Sequence, residues 1–400
     1  MLRKYLPILF LGIFLSACGW NLNAPDDENG ENGDGGDNAK FRNATSSALP
    51  NLTGNTNTAK AVDLDADGDL DITLAIANQA NKVLINNGSA VFADQSNARL
   101  SSPNYDSQDI AVADFNTDGF LDLFFANGLS QPSELYINNG GDTFSDLSNR
   151  IPVSGNFTTV QSWDIDGDGS MDMVIGSAAQ NILLLNSGNA FFSDQTTQRL
   201  PQISDNTYDL IHDDVTGDGL WDIIVANEGA NLLLVNTGSG YFSNQSANRI
   251  PNSSRETRDV QLVDIDNDGD FDIFFGNTAF QTGANPQDRL LINNGQGFFS
   301  DQTADRLPEI TANTYDAEFA DLDSDGDFDL IIGNYDGGLR VLTNNGNGSF
   351  EDPSKTWIPE NFTPLVTDLE MADFNNDGRL DIYVATRNGQ DQLLLQKELQ

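Results

Sequence analysis

The stretch DIDGDGSMD, residues 164–172, sets four carboxylates, Asp164, Asp166, Asp168 and Asp172, within nine residues. Like charges this close repel by roughly 4 kcal/mol per pair at 4 Å for an effective dielectric near 20. Such a cluster asks for a counter-charge. The same pattern returns as DLDADGDLD (63–71), DFNTDGFLD (114–122), DVTGDGLWD (214–222), DIDNDGDFD (264–272), DLDSDGDFD (321–329) and DFNNDGRLD (373–381). Successive copies start 51, 50, 50, 50, 57 and 52 residues apart. A period near 50 residues marks a solenoid, a propeller or an array.

Other features keep that period. A phenylalanine recurs at Phe41, Phe92, Phe144, Phe192, Phe242, Phe299 and Phe350, within stretches such as FFSDQTTQRLP. An apolar triplet precedes Asn-Asn-Gly or its variants, as in VLINNG (83–88), and its last copy is LLLQ (393–396). After each acidic loop, apolar residues fall on alternate positions, the signature of a strand. The tenth position is Ile72, Leu123, Met173, Ile223, Ile273, Leu330 and Ile382. Positions between them are also apolar, which predicts burial on both faces. The thirteenth is always small (Ala75, Ala126, Gly176, Ala226, Gly276, Gly333, Ala385), which lets neighbouring sheets approach closely.

Each unit therefore reads as four short strands. Strand A ends at the acidic loop (109–115), strand B leaves it (121–127), strand C is the apolar triplet (134–138) and strand D carries the phenylalanine (143–148). The turns between them are rich in Gly and Asn, as hairpins require. No helical apolar period follows residue 20. The first unit is preceded by a lone strand D (40–46) and the last lacks one. An open stack would expose an edge at both ends. A ring avoids this, so the expected class is all-β: a seven-bladed β-propeller of four-stranded blades, closed 3+1 by the N-terminal strand.

The loop is D-x-[DNT]-x-D-G-x-x-D. Oxygens at positions one, three, five and nine can converge, and Gly at position six permits the sharp turn. The candidate ligand sets are Asp63, Asp65, Asp67 and Asp71; Asp114, Asn116, Asp118 and Asp122; Asp164, Asp166, Asp168 and Asp172; Asp214, Thr216, Asp218 and Asp222; Asp264, Asp266, Asp268 and Asp272; Asp321, Asp323, Asp325 and Asp329; and Asp373, Asn375, Asp377 and Asp381. Hard oxygens in a flexible loop suit Ca²⁺, with up to seven ions, better than Mg²⁺, which demands stricter geometry. The absence of His and Cys from the loops argues against zinc. An EF-hand needs Glu at position twelve, and here all seven residues there are apolar. Four loops carry four carboxylates; the loop with Thr216 is expected among the weakest binders. The alternative is a set of acidic turns without metal.

The chain as a whole has 61 acidic and 19 basic residues, a net charge of −42. That disfavours nucleic acid, whose binding rests on Lys and Arg. It suits cations, basic partners or uncharged ligands. At the start, Arg3 and Lys4 precede the apolar LPILFLGIFL (6–15) and then Leu15-Ser16-Ala17-Cys18. The apolar run is too short to span a bilayer and reads as a signal peptide. LSAC resembles the bacterial lipobox, which implies cleavage before Cys18, lipidation of Cys18 and membrane attachment through its acyl chains alone. Gly19 in place of Asp favours the outer membrane. The alternative is an ordinary signal peptide with an incidental Cys. The expected organisation is a leader at 1–17, an acidic Gly- and Asn-rich tether at 18–40, and the repeats at 41–400.

Over 41–400 the loops, the small residue behind strand B and the N-N-G-x-x-F step resemble the FG-GAP and VCBS repeat family, which includes the propeller of integrin α chains. The resemblance implies calcium in the A–B loops on one face and partner binding on the other. It implies no particular activity, since the family holds adhesion proteins, lectins and some polysaccharide lyases. Five units carry Asp five residues before the loop, Asp109, Asp209, Asp259, Asp316 and Asp368; the other two have Thr58 and Thr159. The five Asp residues, with Tyr208, Arg258 and Tyr315 beside three of them, are the candidate ligand face for a glycan or a protein. The alternative is a polar rim, or hydrogen bonds between neighbouring blades. His212, the only histidine, aligns with mostly apolar positions and reads as core. No catalytic residue is identified. The expectation is a monomeric binding or adhesion module and not an enzyme, with a polysaccharide lyase or hydrolase as the alternative.

Overall fold

The computed structural model describes residues 39–140, 143–280, 285–309 and 311–398. The leader, Cys18 and nearly all of the acidic tether lie outside these residues. The fold is all-β. Its unit is a four-stranded antiparallel sheet in sequence order, as in Phe157–Trp163, Asp172–Ser177, Ile182–Asn186 and Phe192–Asp194. The pattern recurs along the described chain, and in two places adjoining units merge into one eight-stranded sheet. The sheet of Val366–Ala372, Asp381–Thr386 and Gln392–Gln396 takes its fourth strand from the N-terminal part of the described chain. Phe41–Asn43 pairs antiparallel with Gln392–Gln396, setting Phe41 opposite Gln396.

Strand B is buried on both faces, as its apolar run predicts; Asp172–Ser177 is buried at every residue. The core lies in layers between successive sheets. Phe115, Phe124 and Leu135 of one unit meet Met173, Ile175 and Phe192 of the next. One layer joins Ile72, Leu74 and Phe92 to Phe374, Tyr383 and Leu393, so the first unit packs against the last. The small thirteenth position serves this approach. A Cβ built on Gly176 would meet Thr207 Cγ2 of the following unit at 2.9 Å, and one on Gly333 would meet Val366 Cγ1 at 2.4 Å.

Two boundaries differ from the sequence reading. Strand A of the second unit spans Tyr105–Ala113, earlier at both ends than expected. Asp114 and Phe115 belong to the loop, because their groups are engaged there. Strand D spans only Phe144–Asp146, and in most units a one-turn helix follows, such as Thr196–Arg199. Four residues are too few to show a helical period. The turn is set by a local contact: Asp194 Oδ1 accepts the Thr196 N–H at 2.9 Å. Thr196 Oγ1 in turn accepts the Leu183 N–H of strand C at 3.0 Å. Thr45 repeats that tether on Leu393 at 2.9 Å, across the junction of the two chain ends.

Candidate metal centres and ligand face

Each acidic loop is first held by its own backbone. At position one, Asp164 accepts the N–H groups of Asp168 at 3.0 Å and Gly169 at 2.9 Å. At position five, Asp168 accepts the Ser170 N–H at 2.8 Å. The same contacts recur from Asp63 to Asp373, as at Asp114, Asp214, Asp264 and Asp321. Gly169 has φ +91°, a conformation that suits glycine.

Position nine does more than the spacing suggested. Asp172 is fully buried. Its Oδ2 accepts the Ile165 N–H at 3.0 Å and its Oδ1 accepts the Asn186 N–H of strand C at 2.7 Å. Asp71, Asp122, Asp272, Asp329 and Asp381 make equivalent pairs of contacts, and Asp222 differs only in taking its loop N–H from Thr216 at position three. This carboxylate therefore fastens loop to sheet, whatever else it binds. Burial pushes it up to about 7 at Asp71, Asp122, Asp172, Asp272 and Asp381, and to about 6 at Asp222 and Asp329.

Position three decides the fit to a metal. Asp65, Asp166 and Asp266 each keep Oδ1 buried with no partner. A buried acceptor left unpaired is costly. Carboxylate oxygens of Asp63, Asp65 and Asp71, of Asp164, Asp166 and Asp172, of Asp264, Asp266 and Asp268, and of Asp321, Asp323 and Asp325 lie within 4.8 Å of one another. Oxygens bound to one Ca²⁺ at about 2.3–2.6 Å sit no more than ~5 Å apart, so the clusters match that ion's coordination. These are the four loops with four carboxylates. In the loops at Asp114 and Asp373, Asn116 and Asn375 accept the N–H groups of Asp118 at 2.9 Å and Asp377 at 3.0 Å, as Asp323 accepts that of Asp325 at 3.3 Å.

The sequence reading missed a cation at these loops. Arg99, Arg199 and Arg306 end the one-turn helices after strand D and pair with Asp65, Asp166 and Asp266 at 3.2, 3.3 and 2.9 Å. Arg199 also donates to the Ser239 carbonyl, and Arg306 to the Asn347 carbonyl, each in the following unit. At the loop of Asp321 the equivalent place holds Trp357; Lys40 lies over its ring at 3.6 Å and donates to the Leu322 carbonyl at 2.7 Å. The signal was present in the recurring S-x-x-R and T-x-x-R of the phenylalanine stretches.

On the opposite ends of strands A, each candidate ligand-face Asp, like Thr58 and Thr159, sits at a β-bulge; register shifts at Thr58, Asp109, Thr159, Asp209, Asp259, Asp316 and Asp368. A bulge re-aims a side chain. Here most carboxylates turn to the next unit: Asp109 accepts the Val160 N–H at 2.7 Å, Asp209 that of Val260 at 3.0 Å, Asp316 that of Leu369 at 2.7 Å and Asp368 that of Ala59 at 2.9 Å. Asp259 differs: it bonds the Gln261 side chain at 2.9 Å and keeps Oδ2 buried without a partner. Burial and neighbouring carboxylates raise Asp259, Asp316 and Asp368 well above the usual range and Asp209 to about 7.

The structure brings Tyr208, Arg258 and Tyr315 together. The Arg258 guanidinium lies 3.6 Å from the Tyr208 ring centre and 5.8 Å from that of Tyr315, and it pairs with Glu256. Tyr315 stacks on Tyr335 at 5.2 Å. His212 lies elsewhere, stacked on Trp163 at 4.0 Å, and burial pushes its imidazole down to about 3.

A model of the FG-GAP-like repeat matches residues 63–125, 114–175, 214–275 and 321–384. The chain belongs to the FG-GAP-like repeat family. Each matched window runs from the first Asp of one acidic loop to the twelfth position of the next, so together they contain every loop of this FG-GAP protein. No curated protein matches it in sequence. Crystal structures of BBS1N in complex with ARL6DN, soaked with mercury and with lead, superpose with TM-scores of 0.58 and 0.59 at 13% and 14% identity. Each alignment covers 90% of this chain and 98% of that one. A lectin from Agrocybe aegerita, solved for its recognition of non-reducing terminal N-acetylglucosamine, gives 0.48 at 18% identity, covering 78% of this chain and 82% of that one. The fold is thus an FG-GAP repeat β-propeller, and identities this low speak to the fold alone.

Proposed function

We propose that this FG-GAP protein is a calcium-stabilised binding module and not an enzyme, presenting one propeller face to a glycan or a protein. The propeller is read as seven-bladed and closed 3+1 by Phe41–Asn43. That reading is supported by the pairing of this strand with Gln392–Gln396 and by the layer joining first and last units. Lipidation of Cys18 holds it at a bacterial envelope, with the outer membrane favoured, and the protein works as a monomer.

The observation that carries the binding reading is the wall of Tyr208, Arg258 and Tyr315 gathered from separate units at one end of strands A. Calcium is supported by the unpaired position-three oxygens and the convergent carboxylates. When bound, the ion neutralises each cluster. At tenfold excess over its dissociation constant a site adds about 1.4 kcal/mol. Several such sites together rival the stability of a whole domain.

The test uses protein lacking its leader. Elemental analysis should find bound calcium, and exhaustive EDTA treatment should lower the melting temperature. No bound metal and an unchanged melting temperature would overturn the calcium reading. Glycan arrays and envelope pull-downs, each with calcium and with chelator, test the binding reading; silence in both would overturn it.

A further inference from the structure

We infer that the cavity at the starts of strands A is a sugar pocket taking the terminal residue of a neutral glycan, with Tyr315 as its platform and Arg387 as its hydroxyl donor. The inference rests on the binding-module reading and narrows it to one place and one ligand class. A cavity of about 250 Å³ lies there, lined among others by Asn57, Asp106, Gln108, Tyr315 and Arg387. Those residues come from the starts of strands Thr56–Val62, Tyr105–Ala113 and Thr314–Ala320, and from just beyond Asp381–Thr386. Four units thus converge on one small space. Pockets for drug-sized ligands run from about 300 Å³ upward, so this one suits a single ring.

The walls differ in chemistry. On one side Tyr315 is half-buried and backed by Tyr335, stacked at 5.2 Å. Arg258 lies 5.8 Å from the Tyr315 ring centre, and the surface inferred to meet the C–H face of a pyranose is the apolar part of Tyr315 that lines the cavity. Arg387 is exposed beside it; its guanidinium lies 5.4 Å from the Tyr335 ring centre and donates to the Tyr335 hydroxyl. Arg387 lines the cavity, and its side chain's hydrogen bond goes to a neutral hydroxyl, that of Tyr335. Across the space, Asn57 spends its Nδ2 on the Ser107 carbonyl at 2.8 Å and keeps its carbonyl oxygen as an acceptor. Asp106 adds carboxylate oxygens. An apolar platform facing donors and acceptors matches a hydroxylated ring. The net charge of −42 repels polyanions, and the lining pairs one cation, Arg387, with one carboxylate, Asp106, so an uncharged ring is the ligand class inferred. A space of about 250 Å³ holds about one ring, from which the end of a glycan chain is inferred.

The test is binding of the calcium-loaded full chain to arrayed neutral oligosaccharides of glucose, galactose, mannose and N-acetylglucosamine. The variants are Tyr315→Ala, Tyr315→Phe and Arg387→Ala. The expected result is binding to at least one sugar, weakened about tenfold or more by Tyr315→Ala and by Arg387→Ala and kept by Tyr315→Phe. Arg387 is exposed, so its variant folds even if Tyr315→Ala does not. Sugar binding unchanged by Arg387→Ala and Tyr315→Ala would overturn the inference while leaving the binding-module reading intact. Binding confined to proteins or to acidic glycans would do the same.

Discussion

Arg306 Nη2 lies 2.9 Å from Asp266 Oδ2, and Asp266 Oδ1 remains buried and unpaired. One carboxylate thus shows a guanidinium on its outer side and an open acceptor on its inner side. The arginine orients the third ligand of the loop, and its Nη1 ties that loop to the Asn347 turn of the next unit at 2.6 Å. Metal site and inter-unit contact share one side chain.

Replacing Arg306 by Ala should therefore destabilise the protein by about 1–3 kcal/mol, since a half-buried charge loses its partner. Differential scanning fluorimetry should show a lower melting temperature in calcium and in EDTA alike. A loss seen only in calcium would mean that Arg306 acts through the metal alone.

Asp172→Ala should be worse, by roughly 2–6 kcal/mol, because the N–H groups of Ile165 and Asn186 are left buried without acceptors. Saturating calcium should not rescue it in urea unfolding. Asp166→Ala should instead lower the measured calcium stoichiometry by one, with a smaller effect in EDTA.

Gly333→Ala places a Cβ 2.4 Å from Val366 Cγ1 in the following unit. Overpacking of this kind costs about 1–3 kcal/mol. The double change with Val366→Ala should recover most of the loss, which a thermodynamic cycle from chemical denaturation would reveal.

The carboxylates of strands A, Asp109, Asp209, Asp259, Asp316, Asp368, Glu318 and Glu370, have one lysine, Lys60, among them, 3.8 Å from Glu370. Burial raises Asp209 to about 7 and Glu318 to about 8. Folded carboxyls that hold their protons above the unfolded range stabilise the protein at low pH, and that contribution fades as pH rises through 7 to 8. In EDTA the melting temperature should therefore fall between pH 5 and pH 8.5, and Glu318→Gln should flatten the fall by ~2 °C or more.

The repeat, the loop and the order of the strands were legible in residues 63–71 and their copies, because each is set within nine to fifty residues by turn geometry and alternation. The doubly buried strand B and the small thirteenth residue follow from the same local pattern. The strand ends were less legible, since Asp194 and Thr196 close strand D with side-chain bonds that alternation does not register.

The tertiary structure alone decided who meets whom across units. The spacing offered Asp172 as a ligand; only the sheet shows that strand C donates to it. It offered Asp109 and its equivalents as a rim; only the bulge and the neighbouring strand show most of them latched to the next unit's N–H. It repeated Arg306 within T-x-x-R but gave no partner for it, since its partners lie 40 and 41 residues away in opposite directions. Local chemistry writes a motif into consecutive residues, whereas contacts between units depend on how twisted sheets pack, which no short window of sequence contains.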